Sequence, residues 1–159
     1  MNLEKMYLVR ADVNDYEKIW TMQIEAFRDL LEKYKDYDIS PGNESKERIK
    51  AKLSEPFTYF YFIHSDDDLV GAIRVVDKKD GSKKRVSPVF ILKEFRGKGL
   101  AKKTFEEIEK IHGSDNWKLE TILQEEGNCR LYEKLGYRRT GAVEKINERM
   151  DIVYYEKIR

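Results

Sequence analysis

The sequence predicts an α+β fold in which about four helices flank a mixed sheet of about six to seven strands. Three consecutive strand-like runs end near Leu92, and a glycine loop, a helix and another strand follow them. Strands joined by short turns pair antiparallel, whereas the two strands of a β-α-β unit run parallel, so both kinds of pairing are expected. The 159 residues suit one domain, predicted over 1–159, because domains most often hold roughly 100 to 150 residues.

The predicted strands are runs rich in β-branched and aromatic residues, bounded by turn residues. They lie at 6–10, 57–63, 69–77, 85–92, 117–123, 137–145 and 150–156. The helix between the fourth and fifth runs makes 86–123 the β-α-β unit.

Four helices are predicted from apolar residues at helical spacing. Either Asp12 or Asn14 can cap the first helix, and either Asn43 or Ser45 can cap the second. The third helix is amphipathic and ends near Gly113. The fourth is a short helix at 128–135.

Composition excludes several classes of function. Lys and Arg total 31 against 30 Asp and Glu, so no overall charge draws the chain to nucleic acid or membrane. Cys129 is the only cysteine, which excludes an intrachain disulfide and a thiolate-built zinc site and fits a reducing compartment. No stretch approaches the roughly 18 to 20 apolar residues that span a bilayer, so we expect a cytoplasmic protein with no membrane partner.

The segment from Arg96 to Ala101 is the best candidate for a binding site. It lies between a predicted strand and a helix N-terminus, where backbone N–H groups lack intrahelical partners and the helix dipole favours an anion. Its glycines let the amides approach phosphate oxygens closely, and nearby lysines add positive charge. The alternative is an ordinary strand-to-helix turn with solvated lysines. The segment lacks the ending of a P-loop and the three-glycine spacing of a dinucleotide fingerprint.

Two motifs resemble those of the GNAT superfamily of N-acetyltransferases, in particular small bacterial-type members. Arg96, Gly99 and Ala101 match the motif of Gln or Arg, two residues, Gly, one residue, and Gly or Ala. The run LYEKLGYRRTG at 131–141 is similar to a second motif, in which a short helix carrying a Tyr leads through Gly into the penultimate strand. The order of elements over most of the chain is also that of the superfamily.

The resemblance implies that acetyl-CoA is the co-substrate and lies where two parallel strands splay apart. It implies main-chain contacts from the strand before the glycine loop, although the side chains there also suit a core. The implied cofactor-binding residues are Phe90, Ile91, Leu92, Arg96, Gly97, Lys98, Gly99, Leu100, Ala101, Lys102 and Asn128.

The resemblance also implies catalytic candidates. Tyr132 matches the family Tyr that can protonate the departing thiolate, and its alternative role is packing beside the sheet. The family frequently has Asn seven residues before that Tyr, where this chain has Glu125. Asn128 can cap the short helix, contact the cofactor, or do both, and capping is the expected role. Glu125, Glu120 and Glu25 are candidate bases for the amine, or ordinary surface or paired acids.

Metal and covalent chemistry have weak support in the sequence. His64 and His112 are widely separated and lack clustered acids, so no metal site is predicted. Asp66–Asp68 is typical of a solvated turn rather than a calcium loop. No His lies near Cys129 in sequence to activate it, which argues against an acyl-enzyme.

The implied reaction is transfer of an acetyl group to a primary amine of a small molecule or peptide by direct attack in a ternary complex. The acceptor pocket is expected from the first helices and their loop, together with the terminal hairpin. The candidate pocket residues in the first helices and their loop are Phe27, Leu31, Tyr34, Asp36, Tyr37, Asp38, Ile39 and Glu44. Its acids either favour a small cationic amine or are simply solvated.

The sequence also allows two other functions and one contact between protein surfaces. A CoA-binding module without turnover would keep the glycine loop, and a nucleic-acid-binding domain would use the basic turn at 78–85. No nucleic acid partner is expected, since that basic run also suits a soluble turn. The aromatic strand at 59–62 could serve an edge contact, such as one between two copies of the chain.

Overall fold

Seven strands form one mixed sheet in the computed structural model, which describes residues 5–158. The strands are β1 (Met6–Arg10), β2 (Thr58–Ser65), β3 (Asp68–Val76), β4 (Lys84–Ile91), β5 (Trp117–Ile122), β6 (Arg138–Asn147) and β7 (Met150–Lys157). Their order across the sheet is β1-β2-β3-β4-β5-β7-β6, so the terminal hairpin inserts β7 beside β5.

Helices cover both faces of the sheet. They are α1 (Tyr16–Tyr34), α2 (Lys46–Leu53), α3 (Leu100–His112) and α4 (Glu126–Lys134). Apolar side chains of α1 and α2 pack in one cluster with the sheet, and those of α3 and α4 pack in another. The predicted α+β fold, with a mixed sheet between helices, is confirmed.

The aromatic strand β2 is buried from both sides. Phe60 and Phe62 belong to the cluster under α1 and α2, whereas Tyr61 and Ile63 belong to the cluster under α3 and α4. Successive side chains of a strand point to opposite faces, so a strand covered on both faces needs apolar residues at every position. This explains why the run FTYFYFI shows no polar alternation.

The position of β2 overturns one expectation from the sequence. β2 pairs antiparallel with β1 on one side and with β3 on the other, and β1 and β6 form the edges of the sheet. The idea that residues 59–62 serve an edge contact is therefore wrong, because their strand is interior.

Side-chain caps fix the start of α2 and of the short 3₁₀ turn that precedes α1. Asp12 accepts a hydrogen bond from the Asn14 N–H at 2.8 Å, in a short 3₁₀ turn that leads into α1. Ser45 Oγ accepts from the Arg48 N–H at 3.2 Å and so caps α2. Of the predicted alternatives, Ser45 caps α2 and Asp12 caps the 3₁₀ turn before the first helix, whereas α1 itself starts without a side-chain cap.

β4 and β5 run parallel but pair only briefly. Their ladder consists of Lys84 with Trp117 and Arg85 with Lys118, after which β4 continues to Ile91 without β5. β5 stays paired with β7 along its whole length. The predicted parallel pair is confirmed, and the two strands diverge from the second register pair onward.

None of the helices between residues 5 and 158 is both long and apolar enough to cross a bilayer.

At Gly71, β3 comes so close to β4 that there is no room for a side chain. A Cβ at Gly71 would overlap the carbonyl oxygen of Phe90, so we expect Gly71→Ala to lower the free energy of unfolding by about 1–3 kcal/mol. Gly127 in α4 has open space around it, so Gly127→Ala should leave stability unchanged or raise it by up to about 1 kcal/mol. Chemical denaturation of both variants measures the difference, and equal stabilities would contradict the packing described.

Candidate functional site

A cavity of about 400 Å³ opens beside β4 where β5 has left it. We call it the α3 cavity, because the first turn of α3 forms one wall. Its lining residues are Ala26, Phe27, Leu30, Val89, Phe90, Ile91, Phe95, Arg96, Gly97, Gly99, Leu100, Ala101, Lys102, Phe105, Glu125, Asn128, Leu131 and Tyr132. The cavity thus brings together most of the residues that the sequence singled out for a cofactor.

The loop before α3 depends on two glycines for its backbone shape. Gly97 has φ of 83° and Gly99 has φ of 77°, values that L-residues with a Cβ rarely adopt. A Cβ at either position would meet no atom within 4 Å, so the backbone conformation rather than lack of space requires glycine. Gly99 occupies the N-cap position, and no side chain of the described residues caps α3.

The first turn of α3 faces the cavity with unpaired amides. The N–H groups at the start of a helix have no intrahelical acceptor, and those of Leu100, Ala101 and Lys102 belong to residues that line the cavity. The helix dipole adds partial positive charge at the same end. The geometry therefore suits an anion such as a phosphate.

Arg96 connects two elements that border the α3 cavity. Its Nε donates to the carbonyl oxygen of Ile91 at 2.8 Å, and its Nη2 donates to that of Ala26 at 2.8 Å. The guanidinium thus ties the end of β4 to the middle of α1. A guanidinium has five N–H donors, so this tie leaves others for a ligand.

The free edge of β4 presents the backbone groups of alternate residues. The Leu92 N–H donates to the Val70 carbonyl at 2.7 Å and therefore faces β3. The Ile91 carbonyl accepts from Arg96 and faces the opposite side. Backbone groups alternate along an antiparallel ladder, so those of Val89 and Ile91 lie on the side that β5 leaves open. Of the predicted residues 90–92, Ile91 is the one whose backbone faces the gap.

A second cavity of about 400 Å³ adjoins the first, and we call it the hairpin cavity because the β6–β7 hairpin forms part of it. It shares Phe27, Leu30, Val89, Asn128 and Tyr132 with the α3 cavity. Its other lining residues are Asp36, Ile39, Ser40, Pro41, Arg85, Val86, Ser87, Pro88, Leu119, Glu120, Thr121, Ile122, Glu144, Ile146, Met150, Ile152 and Tyr154.

Tyr132 lies at the junction of the two cavities. It is 7% exposed, and its ring packs edge-on against Phe105 and Tyr137 at centroid distances of 5.6 Å and 6.1 Å. Burial raises the pKa of the Tyr132 phenol, so the hydroxyl keeps its proton at neutral pH. The side chain can therefore act as a proton donor between the cavities.

Asn128 does not cap α4, so the capping role expected from the sequence is wrong. The helix begins at Glu126, and no side chain of the described residues makes a capping hydrogen bond there. Asn128 instead lies in the first turn, exposed and on the walls of both cavities. Because the side-chain amide of Asn128 makes no capping hydrogen bond, it is available to a ligand.

The candidate bases lie in different places. Glu125 lines the α3 cavity, and its Oε2 accepts hydrogen bonds from the Tyr34 hydroxyl and from Lys33 Nζ, so it joins the end of α1 to the start of α4. Glu120 lines the hairpin cavity and forms an ion pair with Arg85. Glu25 is exposed on α1 and lines neither cavity.

The hairpin cavity includes part of the predicted acceptor segment. Phe27, Asp36 and Ile39 line it, whereas Leu31, Tyr34, Tyr37, Asp38 and Glu44 do not. Glu44 is instead covered by Lys52 and Arg48. Sequence reasoning missed Arg85, Thr121 and Tyr154, although the alternation of side chains along β4, β5 and β7 was the available signal.

Covalent and metal chemistry have no support at the site. The Cys129 side chain is buried, with Sγ 3.9 Å from the carbonyl oxygens of Ile122 and Leu123, and it lines neither cavity. Within residues 5–158, no group of three or more His, Cys, Asp or Glu side chains is arranged to hold a metal ion.

Solved structures share this fold at low sequence identity. Spermidine N-acetyltransferase from Vibrio cholerae, in complex with CoA and spermine, has a TM-score of 0.73 at 17% identity, covering 94% of this chain and 93% of that chain. PaiA N-acetyltransferase from Thermoplasma acidophilum, in complex with coenzyme A, has a TM-score of 0.70 at 17% identity, covering 96% of this chain and 99% of that chain. An acetyltransferase from Salmonella typhimurium that modifies the N-terminal serine of a ribosomal protein has a TM-score of 0.72 at 11% identity. The match covers 97% of this chain and 95% of that chain.

Sequence comparison agrees with the fold. No curated protein matches the chain, but the family model of the acetyltransferase (GNAT) domain matches residues 25–158. That match spans α1 from its middle onward, the glycine loop, α4 and the terminal hairpin. On this evidence, the chain belongs to the GNAT acetyltransferase family.

Proposed function

We propose that the protein transfers an acetyl group from acetyl-CoA to a primary amine of a small molecule or peptide, by direct attack in a ternary complex. One observation carries the proposal: a cavity with an anion-binding helix N-terminus meets a second cavity at Tyr132 and Asn128. Each cavity can hold one reactant, and their junction is the place where the acyl carbon and the amine would meet.

The α3 cavity fits the coenzyme by its chemistry. The amides of residues 97–102 and Lys102 suit a diphosphate, and the backbone edge at Val89 and Ile91 suits an extended, amide-bearing arm. When bound, acetyl-CoA supplies a thioester carbonyl that a neutral amine can attack. The protein then supplies position and electrostatics.

Tyr132 is the proposed general acid. Its phenol is held protonated by burial, and it lies on the wall that both cavities share. As the carbon–sulfur bond breaks, Tyr132 donates its proton to the departing thiolate sulfur.

Glu120 is the proposed base for the amine. The amine must lose a proton on the acceptor side, and Glu120 lines the hairpin cavity, whereas Glu125 lines the α3 cavity. Arg85 holds the Glu120 carboxylate in place, and Glu125 is held by two donors from α1. We assign Glu125 a positioning role, joining α1 to α4.

Thiol release with a panel of amines tests the proposed function. We expect acetyl-CoA to be consumed in step with acetylated amine. A protein that binds CoA but releases no thiol with any amine would instead be a CoA-binding module without turnover.

Substitution of Arg96 should mainly lower stability, whereas substitution of Lys102 should mainly weaken CoA binding. Arg96→Ala removes two charge-assisted hydrogen bonds to backbone, so we expect the free energy of unfolding to fall by about 1.5–3 kcal/mol. Lys102→Ala should leave stability within about 0.5 kcal/mol and weaken CoA binding by up to about fivefold, less at high salt. Denaturation and calorimetric CoA titration measure these quantities. Full stability of Arg96→Ala with lost CoA binding would show that the guanidinium serves only the ligand.

Removing the Tyr132 hydroxyl should affect turnover rather than binding. We expect Tyr132→Phe to lower kcat about 100-fold or more with CoA affinity unchanged, since general acids typically contribute at least that factor. Tyr137→Phe is the matched control, because the buried Tyr137 hydroxyl has no hydrogen-bond partner among the described residues. Steady-state kinetics of both variants decide the matter, and equal kcat values would remove Tyr132 from the reaction.

The two candidate bases should differ in their pH profiles. At neutral pH a primary amine of pKa about 10 is mostly protonated, so Glu120→Gln should lower kcat/KM about 100-fold there. The deficit should shrink as the pH rises and free amine becomes abundant. Glu125→Gln should keep the shape of the wild-type profile. A Glu120→Gln profile parallel to wild type at all pH values would reject Glu120 as the base.

A further inference from the structure

Asp36 lies on the wall of the hairpin cavity because of how α1 ends. Lys35 adopts a left-handed conformation with φ of 53°, and its N–H donates to the Leu31 carbonyl at 2.8 Å. The chain then turns, with the Asp36 carbonyl accepting from the Ser40 N–H at 2.9 Å. The turn places Asp36 and Ser40 together on the cavity wall.

The Asp36 carboxyl group is buried, and no charged side chain of the described residues pairs with it. The residue is 8% exposed, and its Oδ1 accepts no hydrogen bond from the described residues. Burial raises the pKa of this carboxyl group, since low polarity disfavours its charged form. A buried carboxylate without a cationic partner is costly in the free protein, and a bound cation would offset that cost.

The other charged groups of the hairpin cavity already have partners. Glu120 pairs with Arg85, and Glu144 accepts a hydrogen bond from the Tyr154 hydroxyl at 2.9 Å. Three carboxylates and one guanidinium therefore line the cavity, which leaves it with an excess of negative charge. Phe27, Leu30 and Ile39 add apolar wall to the same space.

We propose that the acceptor is a small aliphatic amine carrying a second ammonium group, and that Asp36 binds this second group. The inference rests on the proposed acetyl transfer. The attacking nitrogen must be neutral, and Glu120 is the group proposed to take its proton, so Asp36 serves a nitrogen that stays charged and does not react. The apolar wall accommodates the methylene chain between the two nitrogens.

The test compares two acceptors of equal chain length, a diaminoalkane and the amino alcohol that replaces one amine with a hydroxyl. We expect the wild-type protein to prefer the diamine in kcat/KM by about 10- to 100-fold, the range for hydrogen bonds to charged groups. Asp36→Asn should remove that preference by lowering kcat/KM for the diamine alone. Asp38→Asn is the matched control, an exposed acid on the same loop outside both cavities.

The outcomes separate this inference from the proposed function. Turnover of both acceptors with equal kcat/KM by the wild-type protein would overturn the role of Asp36 and leave acetyl transfer intact. An equal loss of kcat/KM for both acceptors in Asp36→Asn would likewise overturn it, because such a loss indicates a structural role for Asp36. Absence of thiol release with every amine would contradict the acetyl transfer itself. Thermal unfolding checks that Asp36→Asn folds, and the wild-type comparison decides the inference if it does not.

Discussion

The early divergence of β4 and β5 is the constraint on which the rest of the site depends. A parallel ladder that ends after two register pairs leaves the backbone of Val89 and Ile91 without a neighbouring strand. In most sheets such groups would pair with the next strand. Here they border a gap, and the same gap receives the N-terminus of α3 from one side and α4 from another. One break in pairing thus opens the N–H groups of Val89 and Ile91 and those of the α3 N-terminus to a single space.

Polar contacts join the elements that border this gap. Arg96 joins α1 to the end of β4, and Glu125 joins the end of α1 to the start of α4. Arg85, in the last register pair, reaches Glu120 on the diverging part of β5. Such charge-assisted contacts fix direction as well as distance, which suits a space that must stay open for a ligand. Apolar side chains alone would favour collapse of the gap, because burial of apolar surface is not directional.

The local parts of the site could be predicted from the sequence, and the long-range parts could not. Gly97 and Gly99 lie between a strand and a helix that are contiguous in sequence, so the glycine turn could be predicted, with an anion site and an ordinary turn as the two alternatives. Arg96 was expected beside the anion, but its guanidinium reaches a carbonyl 70 positions earlier, in α1. Asp36 is similar, since the cavity that it lines is completed by strands that are distant in sequence. Element types followed from periodicity, whereas side-chain partners depended on tertiary contacts that no local pattern encodes.

Binding of coenzyme A through backbone amides in the gap beside β4 underlies the proposed transfer. Amide chemical shifts of the isotope-labelled protein, followed as CoA is added to saturation, test it most directly. We expect the largest shift changes at residues 97–102 and at Val89 and Ile91. No change at saturating CoA, or changes confined to the basic turn at 78–85, would contradict it.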